Sequence, residues 1–320
     1  MNGKLFPWQQ QIWQQWQQLI IQDRLPHALL CSMPDGMGRE NIVALLAKTL
    51  LCQTPGIEPC GMCHSCELST SGNHPDLHWL KPEKEGKGIN VDQIRLCNHW
   101  AWESSQFNGK RVIIIDPADS MNEAAANAIL KTLEEPPQSC QFILLSSSQH
   151  ALLPTIVSRC SSWGLPVVEE SMALQWLKEE HDLSASKQAV RVCGGFPLTV
   201  VDYYQNKHKA AHETLITKFV DYIDSEQPRF SELMLCMAKD PNRTLLWLSY
   251  LLLDVQKVQQ GVNSNLVHDD CRAVLEALSM KLTVNQAYQQ LKTLNILREQ
   301  LKSNSGLNSE LLISQWLFEF

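Results

Sequence analysis

Four cysteines close together in the sequence could bind a metal ion. Cys60, Cys63 and Cys66 form a C-x₂-C-x₂-C run, and Cys52 lies eight residues before it. Two-residue spacers let one knuckle of chain direct several sulfur atoms at one ion, and four thiolates in tetrahedral geometry suit Zn²⁺. The sequence therefore predicts a structural zinc module at 52–66, with these four cysteines as its ligands.

Other interpretations of this cluster stay open. The same run also opens a ferredoxin-type iron–sulfur motif, but that motif continues with C-x₃-C-P, which does not follow Cys66. The thiols could also be unliganded. His64 and His74 are reserve ligands if Cys52 is instead a buried cysteine at a helix end. The chain has eleven cysteines, an odd number that suits a reducing cytosol better than a disulfide framework.

A second segment is similar to a phosphate-binding loop, G-x-x-x-x-G-K-[ST], whose lysine and hydroxyl act on phosphates and Mg²⁺. It keeps Gly36 and Gly38, but Met33, Arg39 and Glu40 occupy the places of the first glycine, the lysine and the hydroxyl. The pattern predicts a nucleotide-binding fold that does not turn over nucleotide. An ordinary glycine-containing turn between a strand and a helix is the alternative.

Asp116 stands after an apolar strand, where an ATPase carries an acidic pair that binds Mg²⁺ and activates water. Pro117 replaces the second acid, so nothing evident polarises an attacking water. Asp116 could still face a metal as a vestigial ligand. We favour the alternative, that it ends the strand and caps a turn.

Arg159, in the run Ser158-Arg159-Cys160, follows an apolar, helix-like stretch at 152–157. An arginine in that place can be an ordinary solvated surface residue. It can also be an arginine finger, which stabilises transition-state charge on a neighbour's triphosphate and contributes roughly 10³–10⁵ in rate where it operates.

Strands that alternate with helices must position these residues. Such alternation predicts a mainly parallel sheet with both faces covered, and ligands bind such sheets at the carboxyl ends of the strands, where Gly36, Asp116 and Ser146 fall. Ser120 and Glu123 match a capping box at a helix N-terminus. The predicted strands lie at 28–31, 75–80, 111–116 and 141–145, and the predicted helices at 8–22 and 39–51, from 89 and from 120 to 133.

The rest of the chain reads as helical. A boundary is expected near 164–166, a small helical unit at 167–208, and only helical spacing from about 210. No apolar run is long enough to span a membrane, and the start of the chain lacks the features of a signal peptide. The net charge of −7 argues against non-specific nucleic-acid binding by this chain alone.

Together these pieces resemble one family. The run Leu-Lys-Thr-Leu-Glu-Glu-Pro-Pro at 130–137, the run at 158–160 and the cysteine knuckle resemble bacterial AAA+ clamp-loader subunits. The resemblance implies an α/β AAA+ (P-loop NTPase-like) core with a zinc-binding insertion at 1–165, a small helical lid at 166–209 and an all-α collar at 210–320.

The degenerate loop narrows the resemblance to the family's stator, a subunit of a DNA polymerase holoenzyme with no catalysis of its own. That role implies Arg159 as a trans arginine finger, zinc as the only cofactor, and no productive ATP binding. The implied partners are the ATPase subunits (gamma/tau) and the delta subunit of a five-membered ring, with a sliding clamp and primed DNA and no membrane, in the bacterial cytoplasm at the replisome.

Two departures from the family's motor subunits fit a stator. A turn ending in Pro197 replaces their nucleotide-sensing arginine, and Ser146 stands where motors read the γ-phosphate. Three rivals remain: a self-sufficient ATPase, a scaffold without a trans-acting arginine, and a zinc-knuckle nucleic-acid binder, although 52–78 contains no Lys or Arg.

Overall fold

The computed structural model describes residues 5–84, 86–107, 109–224, 229–304 and 306–320. The chain divides into two compact units, the first ending at Val168 and the second beginning at Glu169. Within the described ranges, no helix combines the length and the apolar character that crossing a membrane requires.

The first unit is built on five parallel strands that form one sheet. These strands are β1 (Ala28–Ser32), β2 (Leu77–Leu80), β3 (Arg111–Ile115), β4 (Cys140–Ser146) and β5 (Ser161–Gly164). Their order in the sheet is β2-β3-β4-β1-β5. The four predicted strands and the mainly parallel α/β class are confirmed. The edge strand β5 was not predicted, because its four residues are polar or small apart from Trp163.

Six helices surround this sheet: α1 (Gln10–Ile21), α2 (Arg39–Leu51), α3 (His64–Ser71), α4 (Val91–Trp102), α5 (Glu123–Glu134) and α6 (Pro154–Val157). The predicted capping box was wrong. Ser120 ends a short 3₁₀ turn, and its hydroxyl donates to the carbonyl of Pro117 at 2.8 Å. Asn122 caps α5 instead, because its Oδ1 accepts from the backbone N–H of Ala125 at 2.8 Å.

The strands alternate their side chains between two apolar layers, as the two-residue period of a strand requires. On β1, Leu29 and Cys31 pack with α1 and α2, whereas Leu30 packs on the opposite face with α4 and α5. Every residue of β3 is buried. Both faces of the sheet are thus covered, and Asp116 and Ser146 lie at its carboxyl edge.

The second unit is helical throughout its described residues. Its helices are α7 (Glu170–His181), α8 (Lys187–Val192), α9 (Pro197–Gln205), α10 (His208–Asp224), α11 (Phe230–Met237), α12 (Pro241–Gln259), α13 (Arg272–Lys281), α14 (Val284–Ser303) and α15 (Ser309–Leu317). This confirms the helical character that the sequence predicts for the second half of the chain.

A buried chain of hydrogen bonds crosses the second unit. Tyr203 Oη lies 3.0 Å from His212 Nδ1, His212 Nε2 lies 3.2 Å from His268 Nε2, and His268 Nδ1 lies 3.0 Å from Asp254 Oδ2. One arrangement of protons satisfies every atom. Tyr203 donates to His212, His212 donates to His268, and His268 donates to the Asp254 carboxylate. In that arrangement both imidazoles are neutral.

Burial, together with the neighbouring His268, lowers the pKa of His212 to about 3. Below the unfolded-state pKa of about 6.5 the unfolded chain binds this proton and the folded chain does not, so stability is lost as the pH falls. As the pH falls from about 6.5 to about 3, we expect this group to lower the free energy of unfolding by about 1.4 kcal/mol per pH unit. In urea titrations across this range, His212→Asn should lose that slope. The exposed-histidine control His150→Asn should keep it, and equal slopes for all three proteins would contradict the assignment.

Candidate functional site

The loop between β1 and α2 has the backbone shape that its glycines predict. Gly36 and Gly38 lie in the left-handed region, with φ of 84° and 71°, and α2 begins at the next residue, Arg39. A side chain at Gly38 would be strained by this φ and would overlap the ring of Phe6. The loop therefore turns from strand to helix as a phosphate-binding loop does, although its side chains differ.

Arg39, at the lysine position, is held by acids and by the loop itself. Its Nη2 lies 3.2 Å from Asp116 Oδ1 and 2.9 Å from Asp35 Oδ1, and its Nη1 donates to the carbonyl of Met33 at 3.3 Å. The Arg39 side chain is 12% exposed and the Asp116 side chain 3% exposed. The structure thus brings Arg39 and Asp116 together as a largely buried ion pair.

The second oxygen of Asp116 also has partners. Trp79 Nε1 donates to Asp116 Oδ2 at 3.3 Å, and Lys81 Nζ lies 3.6 Å from the same oxygen. Lys81 lies 3.5 Å from Glu40, which occupies the hydroxyl position of the loop. Neither sequence interpretation of Asp116 anticipated these partners. The one sequence feature that could have indicated them is Lys81, the basic residue directly after the edge strand β2.

Residues 6–9, directly before α1, pack against the same loop. The indole N–H of Trp8 donates to the carbonyl of Met37 at 2.9 Å, and the Gln9 amide donates to the carbonyls of Met37 and Gly38 at 3.0 and 2.7 Å. Phe6 and Trp8 stack with ring centroids 5.0 Å apart. Gln9 is fully buried. It braces the loop because a buried amide requires partners.

These contacts decide what the loop can do chemically. A working phosphate-binding loop needs a lysine for the terminal phosphates, a hydroxyl for Mg²⁺ and a free acid beside them. Here the corresponding residues are Arg39, Glu40 and Asp116, and each is engaged in an ion pair. Arg39 and Asp116 therefore bind each other, and Glu40 pairs with Lys81.

The two sensor positions are also committed to the protein's own contacts. Ser146 is buried, its hydroxyl donates to the carbonyl of Ser148 at 2.8 Å, and its oxygen accepts from the backbone N–H of Ser148 at 3.3 Å. Pro197 is the first residue of α9 and is buried. Its ring offers no donor to a nucleotide.

The four predicted cysteines meet in space. Their sulfur atoms all lie within 4.8 Å of one another, with Cys52 Sγ 3.9 Å from Cys63 Sγ and Cys60 Sγ 4.0 Å from Cys66 Sγ. Cys52 is the C-cap of α2, and α3 begins directly after Cys63. Two helix ends thus position the sulfurs, and the cluster can hold a metal ion.

The surroundings of the cluster influence its protonation. The backbone N–H groups of Met62 and Cys63 lower the pKa of the Cys60 thiol to about 6, which favours the thiolate that metals bind. Burial raises the pKa of Cys66 to about 12. A nearby cation would reverse that effect, since a coordinating thiol is deprotonated outright.

The two reserve histidines lie outside this group of sulfurs. His74 Nε2 lies 2.6 Å from Ser65 Oγ, and the backbone N–H of Asp76 donates to His74 Nδ1 at 3.0 Å. Both nitrogens of His74 are therefore used. Burial lowers its pKa, so it holds α3 in place as a neutral ring. His64 is exposed and lies 3.9 Å from Glu67.

Arg159 lies between α6 and β5 and is separate from these sites. Its Nη1 donates to the carbonyl of Thr155 at 3.0 Å, and its Nη2 donates to Glu134 Oε2 at 3.1 Å. The Arg159 side chain is 31% exposed. The guanidinium is thus held at the surface by contacts within its own unit.

Two family profiles match the chain. One described as "DNA polymerase III, delta subunit" covers residues 8–169, and one described as "DNA polymerase III, delta subunit, C terminal" covers residues 206–320. DNA polymerase III subunit delta′ of Haemophilus influenzae is 32% identical over 97% of this chain and 94% of its own length. The chain belongs to the DNA polymerase III delta-prime family.

Membership of the delta-prime family rests on nearly the whole chain. Subunit delta′ of Escherichia coli is 34% identical over 91% of this chain and 87% of its own length. A DNA polymerase III, gamma subunit-related protein from Thermotoga maritima aligns over 96% of this chain and 97% of its own, with 19% identity and a TM-score of 0.43. The two family profiles and the delta′ relatives confirm the predicted family.

The contribution of the Arg39–Asp116 ion pair to the free energy of unfolding can be measured with two variants of this delta-prime chain. Arg39→Ala leaves the buried Asp116 carboxylate with only the half-exposed Lys81 as a cation, and breaking a buried pair costs about 3 kcal/mol. Asp35→Ala removes the other acid that pairs with Arg39, but Asp35 is 83% exposed, so the expected loss is below about 1 kcal/mol. Urea titrations of both variants measure the difference. Equal losses would mean that the buried pair is not the stabilising contact.

Proposed function

We propose that this delta-prime chain is the stator of a clamp loader. In this role it completes a five-membered ring with the gamma/tau ATPase subunits and the delta subunit. It does not hydrolyse ATP itself, and it supplies Arg159 to ATP held by a neighbouring ATPase subunit. Hydrolysis then depends on correct assembly and leads to loading of the sliding clamp on primed DNA. The chain works in the cytoplasm, at the replisome.

The ion pair between Arg39 and Asp116 is the observation that carries the proposal. A motor subunit needs these two positions for phosphate and Mg²⁺. Here they bind each other at 3.2 Å in a largely buried place, and the buried side chains of Trp8 and Gln9 hold the loop carbonyls from the other side. Nucleotide would have to displace a neutralised, buried pair, which is unfavourable.

Arg159 supports the second half of the proposal. An arginine that acts in trans must lie at the surface, have its backbone held in place and keep N–H donors for a phosphate. Its guanidinium is partly exposed, and the residues before it are anchored in the core through the buried side chain of Ile156. Two of its donors are used within the unit, so donors remain for a ligand.

The domain arrangement of the proposal is an AAA+ core at 1–165, a lid at 166–209 and a collar at 210–320. The start of the second compact unit at Glu169 supports a boundary close to the first of these divisions. Both helical parts lie within the second unit, and the collar is the part that would hold the ring together. The profile that starts at residue 206 supports the second division.

The metal in the cysteine cluster is proposed to be Zn²⁺ with a structural role. Four thiolates at about 2.3 Å from a tetrahedral ion lie about 3.8 Å apart. Here two sulfur pairs lie 3.9 and 4.0 Å apart, and all four sulfurs lie within 4.8 Å of one another. An iron–sulfur cluster places several atoms between its thiolates and needs wider spacing. Four protein ligands leave no open position, which is typical of structural zinc.

A scaffold without a trans-acting arginine is the second candidate. The observation that favours it is the contact of Arg159 with Glu134, because an arginine already paired within its own chain can be a surface ion pair and nothing more. The two candidates differ only in what Arg159 does when the ring is assembled.

The Arg159→Ala variant separates the candidates. In a ring reconstituted with the ATPase subunits, the clamp and primed DNA, we expect it to assemble and to bind ATP but to hydrolyse it more slowly. A loss of up to about 10³-fold is expected at the interface that the arginine serves. Steady-state and single-turnover ATPase assays measure the effect, with the exposed-arginine variant Arg24→Ala as control. If the Arg159→Ala ring hydrolyses ATP at the wild-type rate, the scaffold is favoured. If the isolated wild-type chain hydrolyses ATP, the proposal that it has no ATPase activity of its own is wrong.

The Cys63→Ser variant tests the metal. We expect it to lose Zn²⁺ and to melt at a lower temperature, because the binding free energy of a structural metal adds to the stability of the fold. Cys236→Ser is the matched control, since Cys236 is also a half-buried free thiol but lies outside the cluster. Metal content and thermal denaturation of the full chain are measured together. An unchanged melting temperature in a zinc-free Cys63→Ser protein would argue against a structural role.

A further inference from the structure

Glu134 is the side chain that meets the tip of Arg159. Its Oε2 accepts from Arg159 Nη2 at 3.1 Å, while the carbonyl of Thr155 accepts from Nη1 at 3.0 Å. The two acceptors come from different elements, the end of α5 and the short helix α6. They hold both terminal nitrogens of one guanidinium, and each of those nitrogens keeps one further hydrogen that a phosphate oxygen could accept.

The position of Glu134 is unfavourable for its own helix. It is the last residue of α5, and Glu135 follows it as the C-cap. The C-terminal end of a helix carries partial negative charge, so a carboxylate there is disfavoured and a cation is favoured. Helix stability therefore does not explain Glu134. Lys131 is the basic residue in the same last turn, but the cation that pairs with Glu134 is Arg159. Among the described residues the Glu135 side chain makes no ion pair.

The backbone of Arg159 and the inner part of its side chain are held in place by contacts that do not involve Glu134. The backbone N–H of Arg159 donates to the carbonyl of Ile156 at 3.0 Å, and the Ile156 side chain is fully buried in the apolar layer on the α5 side of the sheet. The Arg159 Nε atom is itself buried. What remains adjustable is the direction of the guanidinium plane, and that is what the contact with Glu134 sets.

We propose that Glu134 is a positioning residue for Arg159, which orients the guanidinium toward a phosphoryl group on a neighbouring subunit. The inference rests on the proposed function, because it needs Arg159 to act in trans. Without Glu134 the guanidinium is held only through Nη1, by the Thr155 carbonyl, and only a fraction of its remaining orientations presents both free N–H groups together. Orientation of this kind affects the rate of the chemical step, and a misplacement of about 1 Å can cost about 10²-fold.

The pair lends itself to a clean test because its loss should not unfold the protein. The Glu134 side chain is 60% exposed, and exposed ion pairs contribute little to stability. The Glu134→Ala variant is therefore expected to melt at the wild-type temperature. Glu135→Ala is the matched control, since it removes the same charge from the neighbouring exposed position.

The experiment measures kcat and KM for ATP in the reconstituted ring. The proteins compared are wild type, Glu134→Ala, Glu134→Gln, Glu135→Ala, Arg159→Ala and the double variant Glu134→Ala/Arg159→Ala. We expect Glu134→Ala to lower kcat about tenfold with KM unchanged, and Glu134→Gln to recover part of the loss because its amide oxygen still accepts a hydrogen bond. Glu135→Ala should match wild type. The double variant should match Arg159→Ala, since a residue that acts through the arginine has no effect once the arginine is gone.

The outcomes separate this inference from the proposed function. If Arg159→Ala has no effect, the trans-acting arginine is refuted and the inference fails with it. If Arg159→Ala lowers kcat but Glu134→Ala matches wild type, or if the two losses multiply in the double variant, only the positioning role is refuted. A Glu134→Ala ring faster than wild type would also overturn it, because the carboxylate would then restrain the arginine.

Discussion

The ion pair between Arg39 and Asp116 joins the first turn of α2 to the end of β3, at the edge of the sheet where a P-loop protein binds nucleotide. A buried carboxylate is stable only with compensating charge and hydrogen bonds. Asp116 receives these from Arg39, Trp79 and Lys81. Arg39 and Asp116 thus neutralise each other at this edge of the sheet.

Other features of the first unit are consistent with this constraint. Phe6, Trp8 and Gln9 pack on the loop and bind its carbonyls, so the loop is braced by the chain itself where a motor's loop is ordered by nucleotide. Ser146 likewise satisfies its hydroxyl locally. Such rigidity suits the proposed stator role, because an arginine offered to a neighbour is useful only if its supporting unit stays in one conformation.

The cysteine cluster and the arginine are built on the same principle of fixed helix ends. The cluster ties the end of α2 to the start of α3, and Arg159 is held between the end of α5 and the helix α6. In both places short loops are tied down by contacts, which reduces the conformational entropy that they would otherwise keep. In the second unit, the buried hydrogen bonds of His268 to His212 and Asp254 likewise hold the segment around His268 in place.

Spacing and periodicity alone determined four of the five strands, the helices on both faces, the helical second half and the grouping of the cysteines. Each of these follows from local rules: apolar period, β-branched runs and two-residue ligand spacers. The tertiary structure decided what Arg39, Gln9 and Glu134 do. Their partners are distant in the sequence, and no local pattern states which buried acid an arginine will meet. The edge strand β5 and the cap at Asn122 were missed because polar edge residues and competing caps are settled by packing.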